Sequence, residues 1–370
     1  MTTDRLDRVR ERLEELRLDA LLITTPSNRR WVSGFTGSAG AVLVGRDRAR
    51  FATDSRYWEQ IALQAPEFEL VKVSGATTGV APDLLEDTGG LTIGFEPAHM
   101  TVAAYEQWTS AIDGLLEAAR PRLVPAPAAI EALRIVKDDD ELDALARAVQ
   151  LGDEGMAHAI AVVEPGMTER QLAWEIQRYM MEHGADDLSF STIVAGGDWG
   201  AAPHAYPRDV PLSEGAGVVI DMGVIIDGYC SDLTRTLFVG EPDDQFKRVY
   251  DTVLTAQTMA EERIEAGMTG AEAHTIAATV IAEAGYGEYF GHGLGHGVGL
   301  DIHEAPRLAP GSDAILGDGQ VFTVEPGIYI PGWGGVRIED QCVMQDGRVR
   351  AVSASPKLDL ELNLETGVAL

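Results

Sequence analysis

Residues 218–236 read VVIDMGVIIDGYCSDLTRT, two apolar β runs joined at Asp227-Gly228. An Asp-Gly pair is a two-residue hairpin signal, because both turn positions require positive φ, which aspartate tolerates and glycine adopts freely. Closing the turn there sets Ile226 opposite Tyr229 and carries the register outward, so that Gly223 faces Asp232. Asp221 lies two residues from Gly223 and therefore on the face that carries Asp232. The hairpin thus holds two carboxylates as diagonal neighbours, about 7 Å apart at Cα. A carboxylate inside an apolar strand costs several kcal/mol to bury unless a positive charge neutralises it.

The pattern returns downstream in FTVEPGIYI (322–330) and GVRIEDQCV (335–343), which carry Glu325 and Glu339. A four-residue loop at 331–334, PGWG, sets these two glutamates on opposite faces, whereas a three-residue loop or a single bulge returns them to one face. An irregularity is therefore expected there, eased by Gly332, Gly334 and Gly335. The repetition extends further. IDMG at 220–223 is answered by VEPG at 324–327, and PGMTERQLAWEI from Pro165 by AGMTGAEAHTIA from Ala266, each about 100 residues later, as in an internal duplication. Each half then contributes one pair of carboxylates.

Three of the eight histidines fall in GHGLGHGVGLDIHE (291–304), as His292, His296 and His303. Glycine on both sides of His296 lets its backbone approach a neighbour closely. Four strand carboxylates beside an imidazole need a strong cation, or two. Asp221, Asp232, His296, Glu325 and Glu339 accordingly read as the ligand set of a two-metal centre, and an oxygen-rich set with one imidazole suits a fairly hard divalent ion. Arg337 and Glu339 occupy alternate positions on one strand face, which allows either a structural ion pair between them or support of a ligand by the arginine.

The 370 residues suffice for two domains. Three prolines, Pro121, Pro125 and Pro127, precede the acidic helix start DDDELDALARAV, which places a linker at 126–137 between domains at 1–125 and 138–370. In the first domain a helix over about 4–17 leads into the strand DALLIT, the turn TPSNRR, strands GAVLVG and ARFATD, a later strand LTIGFE and a helix at 101–119, a small α/β layer. In the second, helices at about 138–162, 168–183, 244–265 and 270–285 and β segments after 215 suit an α+β domain with a largely antiparallel sheet. The net charge of −30 excludes a nucleic-acid or anionic-membrane surface. The charged N-terminal helix and the lack of a long apolar run point to an untargeted cytoplasmic protein. Cys230 and Cys342 lie in apolar runs and read as buried core residues.

The ordered set IDMG, VIIDGYCSDLTRT, GHGLGHGVGLDIHE, TVEPGIYI and RIED resembles the signature of the pita-bread metallopeptidases, in particular the proline-directed branch of aminopeptidase P and prolidase. GFTGSAG and FATDSRYW in the first domain are similar to segments of that branch, so the resemblance spans essentially the whole chain. It implies an α+β fold: a duplicated pita-bread catalytic domain behind a smaller creatinase/prolidase-like α/β domain. It also implies a homodimer. By similarity, Asp221 and Asp232 ligate one metal, Asp232 and Glu339 bridge, and His296 with Glu325 completes the second site. The ions are expected to be Mn²⁺, with Co²⁺ or Zn²⁺ able to substitute, holding a hydroxide that attacks the peptide bond while Glu325 shuttles the proton. His204, His292 and His303 match substrate-side histidines, with His303 a further catalytic candidate at the scissile carbonyl. Tyr329 and Arg337 match residues that support the ligands. The implied substrate is a peptide with proline at its second position. Release of the N-terminal residue from longer peptides is the first reading, cleavage restricted to Xaa-Pro dipeptides the second, and a non-catalytic binding module a remote third.

Overall fold

The computed structural model describes residues 2–74, 81–358 and 368–369. Two units divide between Arg134 and Ile135, inside the segment read as a linker.

In the first unit, α1 (Thr2–Leu16) precedes β1 (Ala20–Ile23), α2 (Pro26–Ser33), β2 (Ala41–Gly45), β3 (Ala49–Asp54), α3 (Trp58–Gln64) and β4 (Glu69–Val73). After it come β5 (Thr92–Phe95), α4 (Val102–Asp113), β6 (Arg122–Pro125) and the short α5 (Glu131–Arg134). The strands form one mixed sheet of six, ordered β4-β3-β2-β1-β5-β6. Two expectations need correction. TPSNRR is no turn but the start of α2, which buries Trp31 and Val32. Proline and its polar neighbours signal turns and helix starts alike, because Pro26 at the first helical turn is already set to helical φ. The helix expected to reach residue 119 ends at Asp113, where Gly114 follows.

In the second unit, α6 (Asp139–Val162) and α7 (Glu169–Glu182) precede β7 (Asp187–Leu188), β8 (Ile193–Gly196) and β9 (Ala216–Met222). Then follow β10 (Val224–Ile226), β11 (Tyr229–Cys230), β12 (Leu233–Val239), α8 (Asp244–Arg263) and α9 (Gly270–Glu283). The last part holds β13 (Gly295–Gly297), β14 (Glu304–Leu308), β15 (Val321–Val324), β16 (Gly327–Ile330), β17 (Gly334–Arg337), β18 (Asp340–Gln345), β19 (Arg348–Ala351) and β20 (Val368–Ala369). The two larger sheets run β20-β12-β9-β8 and β14-β13-β15-β18-β19, and their pairings are antiparallel. Val218, Ile220 and Met222 of β9 share one apolar core with Leu172, Ile176 and Met180 of α7 and with Phe322 and Val324 of β15. Cys230 and Cys342 are both buried.

The duplication is visible in the backbone. Both α7 and α9 have 14 residues and start from a capping box, Thr168 with Gln171 and Thr269 with Glu272. The residues just before each helix pair with the chain in the same way: Gly166 N–H donates to Leu212 O and Leu212 N–H to Met167 O, while Gly267 N–H donates to Leu316 O and Leu316 N–H to Met268 O. Among the described residues, no helix is long and apolar enough to cross a membrane.

Candidate metal centre

The Asp227-Gly228 turn closes as its sequence requires, with φ of +50° and +82°. Ile226 pairs with Tyr229, and the same register continues outward through Leu233↔Met222 and Thr234↔Asp221. Between those stretches the hydrogen-bonded ladder is broken. The Asp232 N–H turns aside to Gln341 Oε1, 3.0 Å away. The strands also come so close that a Cβ at Gly223 would collide with the Ser231 carbonyl. Asp221 and Asp232 remain on one face.

The second hairpin takes the three-residue loop: Ile330 pairs with Gly334 across residues 331–333, with Gly332 at φ +78°. That register runs on into β15 and β18, where Val324 pairs with Asp340. Glu325 and Glu339 therefore oppose each other without a bulge. The Glu339 N–H leaves its own hairpin and donates to Thr234 O of the first, 3.1 Å away, which brings the two acidic pairs together. His296 enters on β13, and the flanking glycines are steric necessities. A Cβ at Gly295 would strike the Thr323 carbonyl and one at Gly297 the Ala305 carbonyl.

Asp232, His296 and Glu339 place one ligand atom each within 4.8 Å of one another. His296 Nε2 stands 3.6 Å from Asp232 Oδ2 and 3.3 Å from Glu325 Oε1. Its Nδ1 lies 3.1 Å from the Gly297 carbonyl, so Nδ1 carries the proton and Nε2 keeps its lone pair for a cation. Burial lowers the imidazole's proton affinity and keeps it neutral. Burial, and then the neighbouring carboxylates, push Asp232 and Glu339 well above the usual carboxylate range. Burial raises Glu325 to about 7. Two buried oxygens, Asp221 Oδ1 and Glu339 Oε1, have no hydrogen-bond partner. Buried acceptors without donors, on acids that burial disfavours as anions, are what a divalent ion would satisfy, so the residues present fit one.

Arg337 decides between its two readings. Its Nη2 pairs with Asp221 Oδ2 at 2.5 Å, Nε donates to Thr234 Oγ1 at 3.0 Å and Nη1 to the Tyr329 hydroxyl at 2.9 Å. The guanidinium thus holds Asp221. The chain continues with definite polarity: His292 Nδ1–H points to the Gly293 carbonyl at 2.7 Å, so His292 Nε2 accepts from Tyr329 OH at 3.0 Å. Burial and then Arg337 lower His292 to about 4, which keeps it a neutral acceptor. Arg337→Met is expected to lower metal-dependent turnover about 10- to 100-fold, the usual cost of losing a group that orients a ligand. Unchanged metal content and turnover in the variant would show the pairing to be dispensable.

His303 is exposed and sets its ring 4.4 Å from that of His296. His204 is also exposed, next to Pro203, whose carbonyl accepts from Arg337 Nη1 at 3.3 Å. Several residues at the centre escaped the sequence reading. Thr234 donates to Glu339 Oε2 at 2.6 Å, and Thr323 accepts from the His296 N–H and donates to Glu325 Oε1. Buried Arg235 donates to Glu339 O and pairs with Asp340 at 2.6 Å. Arg307 stands opposite His296 in the β13–β14 pairing. The signal for Thr234 was present, since the Asp-Gly register already placed it opposite Asp221.

Comparison with known proteins places the chain in a family. Residues 143–346 match the model of metallopeptidase family M24, and residues 5–136 that of the creatinase/prolidase N-terminal domain. The Xaa-Pro dipeptidase of Pyrococcus furiosus is 32% identical over 355 residues, covering 96% of this chain and 99% of the relative. The solved Xaa-Pro dipeptidase from Bacillus anthracis superposes with a TM-score of 0.91 at 39% identity, over 96% of this chain and 99% of its own. The X-Pro aminopeptidase from Thermotoga maritima MSB8 gives 0.84 at 33%, over 94% and 98%. With matching relatives along nearly its full length, four carboxylates on its two hairpins and an imidazole from β13 beside them, the chain belongs to metallopeptidase family M24, as a pita-bread enzyme following a creatinase/prolidase N-terminal domain.

Proposed function

We propose that this metallopeptidase hydrolyses the Xaa-Pro bond, with Asp221, Asp232, His296, Glu325 and Glu339 holding two divalent ions, fairly hard ones by the donor set and Mn²⁺ by the family resemblance. The observation that carries the reading is the convergence of Asp232, His296 and Glu339 beside unpartnered buried carboxylate oxygens. Bound ions supply Lewis acidity and an acidified water at neutral pH.

The chain's own residues do the rest. Thr323 Oγ1 fixes Glu325 Oε1 at 3.0 Å, which orients the carboxylate for proton transfer. Glu325 accepts a proton from the attacking water and returns it to the proline nitrogen as the C–N bond breaks. His303, exposed beside His296, donates to the scissile carbonyl oxygen as charge develops there. Tyr329 takes up the acceptor nitrogen of His292, which therefore offers the substrate an apolar ring face rather than a donor. His204 lies at the exposed edge. A tertiary Xaa-Pro amide has no N–H to satisfy, and its ring fits such a wall.

For substrate length we read dipeptides ahead of longer peptides. The Bacillus anthracis relative named a dipeptidase exceeds the one named an aminopeptidase in identity and TM-score, although the dipeptidase of Pyrococcus furiosus, at 32% identity, does not exceed it in identity. Arg307, facing His296 across the strand pair, also offers a cation for the carboxylate that a dipeptide carries next to the scissile bond. The homodimer implied by the resemblance and the cytoplasmic placement read from the sequence belong to this proposal. Incubating the Mn²⁺ enzyme with an Xaa-Pro dipeptide and with Xaa-Pro-Xaa peptides of growing length tests it. Turnover should be highest on the dipeptide, and Arg307→Ala should lower kcat/KM for the dipeptide about tenfold while sparing a tripeptide. Faster cleavage of the longer peptides would establish the aminopeptidase activity instead.

A further inference from the structure

Residues 352–358 follow β19 without regular secondary structure, yet each of them hydrogen-bonds to a helix or strand of the second unit. The firmest hold on this strap is Arg235, which is 1% exposed. A guanidinium carries N–H donors in a fixed fork, and leaving one unfilled in the interior is costly. Here every one is filled. Nη1 donates to Thr234 O at 2.9 Å and to Glu339 O at 2.5 Å, Nη2 to Asp340 Oδ1 at 2.6 Å and to Ser355 O at 2.7 Å, and Nε to Pro356 O at 3.1 Å. One planar group therefore ties two carbonyls of the strap to two carbonyls at the centre. Because the Glu339 N–H is already bound to Thr234 O, both polar atoms of the Glu339 backbone are fixed.

Asp232 is tied to the same strap by a separate route. Gln341 accepts from the Asp232 N–H with its side chain and holds the strap with its backbone: Val352 N–H and Ser353 N–H donate to Gln341 O at 2.8 and 3.3 Å, and Gln341 N–H donates to Ser353 Oγ at 3.0 Å. The strap in turn is clamped by Asp153 of α6. Its Oδ1 accepts from the Ser355 N–H at 2.9 Å and the Ser355 hydroxyl at 2.6 Å, and its Oδ2 from the Ala354 N–H at 2.8 Å. A carboxylate that takes three donors from two consecutive residues fixes their backbone, and with it the Ser355 carbonyl presented to Arg235.

We infer that the 352–358 strap, held by Asp153 and read by Arg235 and Gln341, is a positioning element that sets Glu339 and Asp232 relative to each other in the metal centre. Asp153 and Arg235 are then positioning residues, acting through backbone rather than on the substrate. The inference rests on the assignment of Asp232 and Glu339 as metal ligands.

Arg235→Lys tests one end, because an ammonium keeps a positive charge opposite Asp340 but cannot reach the carbonyls of both the centre and the strap. Asp153→Ala tests the other, from a helix that supplies none of the ligands. Calorimetric titration of the metal-free proteins with Mn²⁺ should show about tenfold weaker affinity in each variant than in the unsubstituted protein, the scale usual for groups that support a ligand. Thermal midpoints taken with and without Mn²⁺ separate positioning from a merely structural role. Loss of a structural support lowers both midpoints alike, whereas loss of positioning lowers the Mn²⁺-loaded midpoint more, since weaker binding stabilises less. Either variant carries the test if the other does not fold. Unchanged Mn²⁺ affinity in the folded variants, or equal lowering of the two midpoints, would overturn the inference. The titration uses no substrate, so failure of the Xaa-Pro reading would leave it intact, while an unsubstituted protein that takes up no Mn²⁺ would remove the metal centre and the inference together.

Discussion

Replacing Glu339 with alanine is expected to lower metal-dependent Xaa-Pro hydrolysis by about three orders of magnitude or more, well beyond the 10- to 100-fold typical of groups that merely orient a ligand. Glu339 is nearly fully buried, and one of its oxygens converges with Asp232 and His296 within 4.8 Å. Its Oε2 is occupied by Thr234 at 2.6 Å, while its Oε1 has no partner in the protein, so one oxygen is positioned and the other is free for a cation. Asp232→Ala should behave alike, since its backbone is pinned by Gln341 and its side chain faces His296 at 3.6 Å. Steady-state kinetics with metal analysis of the purified variants checks this. Near-normal turnover of either variant in chelator-treated buffer would sink the two-metal assignment.

Removing the metal is expected to destabilise the fold by several kcal/mol at pH 7 and to make its stability fall as pH rises. Burial raises the carboxyls of Asp232, Glu325 and Glu339, with Glu325 at about 7. The metal-free folded state therefore holds protons that the unfolded chain, titrating near 4, has already released. The difference in bound protons makes folding most favourable below about pH 4, and the advantage is lost as pH rises through about 7. Each unit of raised pKa is worth about 1.4 kcal/mol, so three coupled acids make the slope large. Arg337 offsets part of it, because its charge opposes the rise in all three acids. With metal bound, the anions are neutralised and the slope should flatten between pH 5 and 8. Thermal or urea unfolding of chelator-treated and Mn²⁺-loaded protein across that range provides the comparison. Equal slopes in the two forms would mean that the acidic cluster is not where the cation binds.

Much of the centre was legible because strand geometry is periodic and the turns are strongly coded. Asp227-Gly228 sets one register, and that register alone puts Asp221 and Asp232 on one face and Thr234 opposite Asp221. The second hairpin was legible only as a choice. PGWG admits loops of three or four residues, and only in the folded chain does Ile330 close on Gly334. The misreading of TPSNRR has a similar cause, since proline followed by small polar residues begins helices as readily as it makes turns. The helix forms because it buries Trp31.

The sequence by itself determined the two units, the duplicated helix and hairpin pattern, and the five residues with metal-ligating chemistry. These follow from local rules: capping residues, two-residue turns, alternation along strands and the cost of burying a carboxylate. Only the tertiary structure decided how the two hairpins meet. The Glu339 N–H donates across to Thr234 O, Arg337 directs its charge to Asp221 rather than to the neighbouring Glu339, and Gln341 pins the Asp232 backbone. Each of these contacts joins residues about 100 positions apart in sequence, and no local pattern encodes which partner a buried hydrogen-bonding group will find. That choice is made when the two halves pack and every buried donor and acceptor competes for the same few partners.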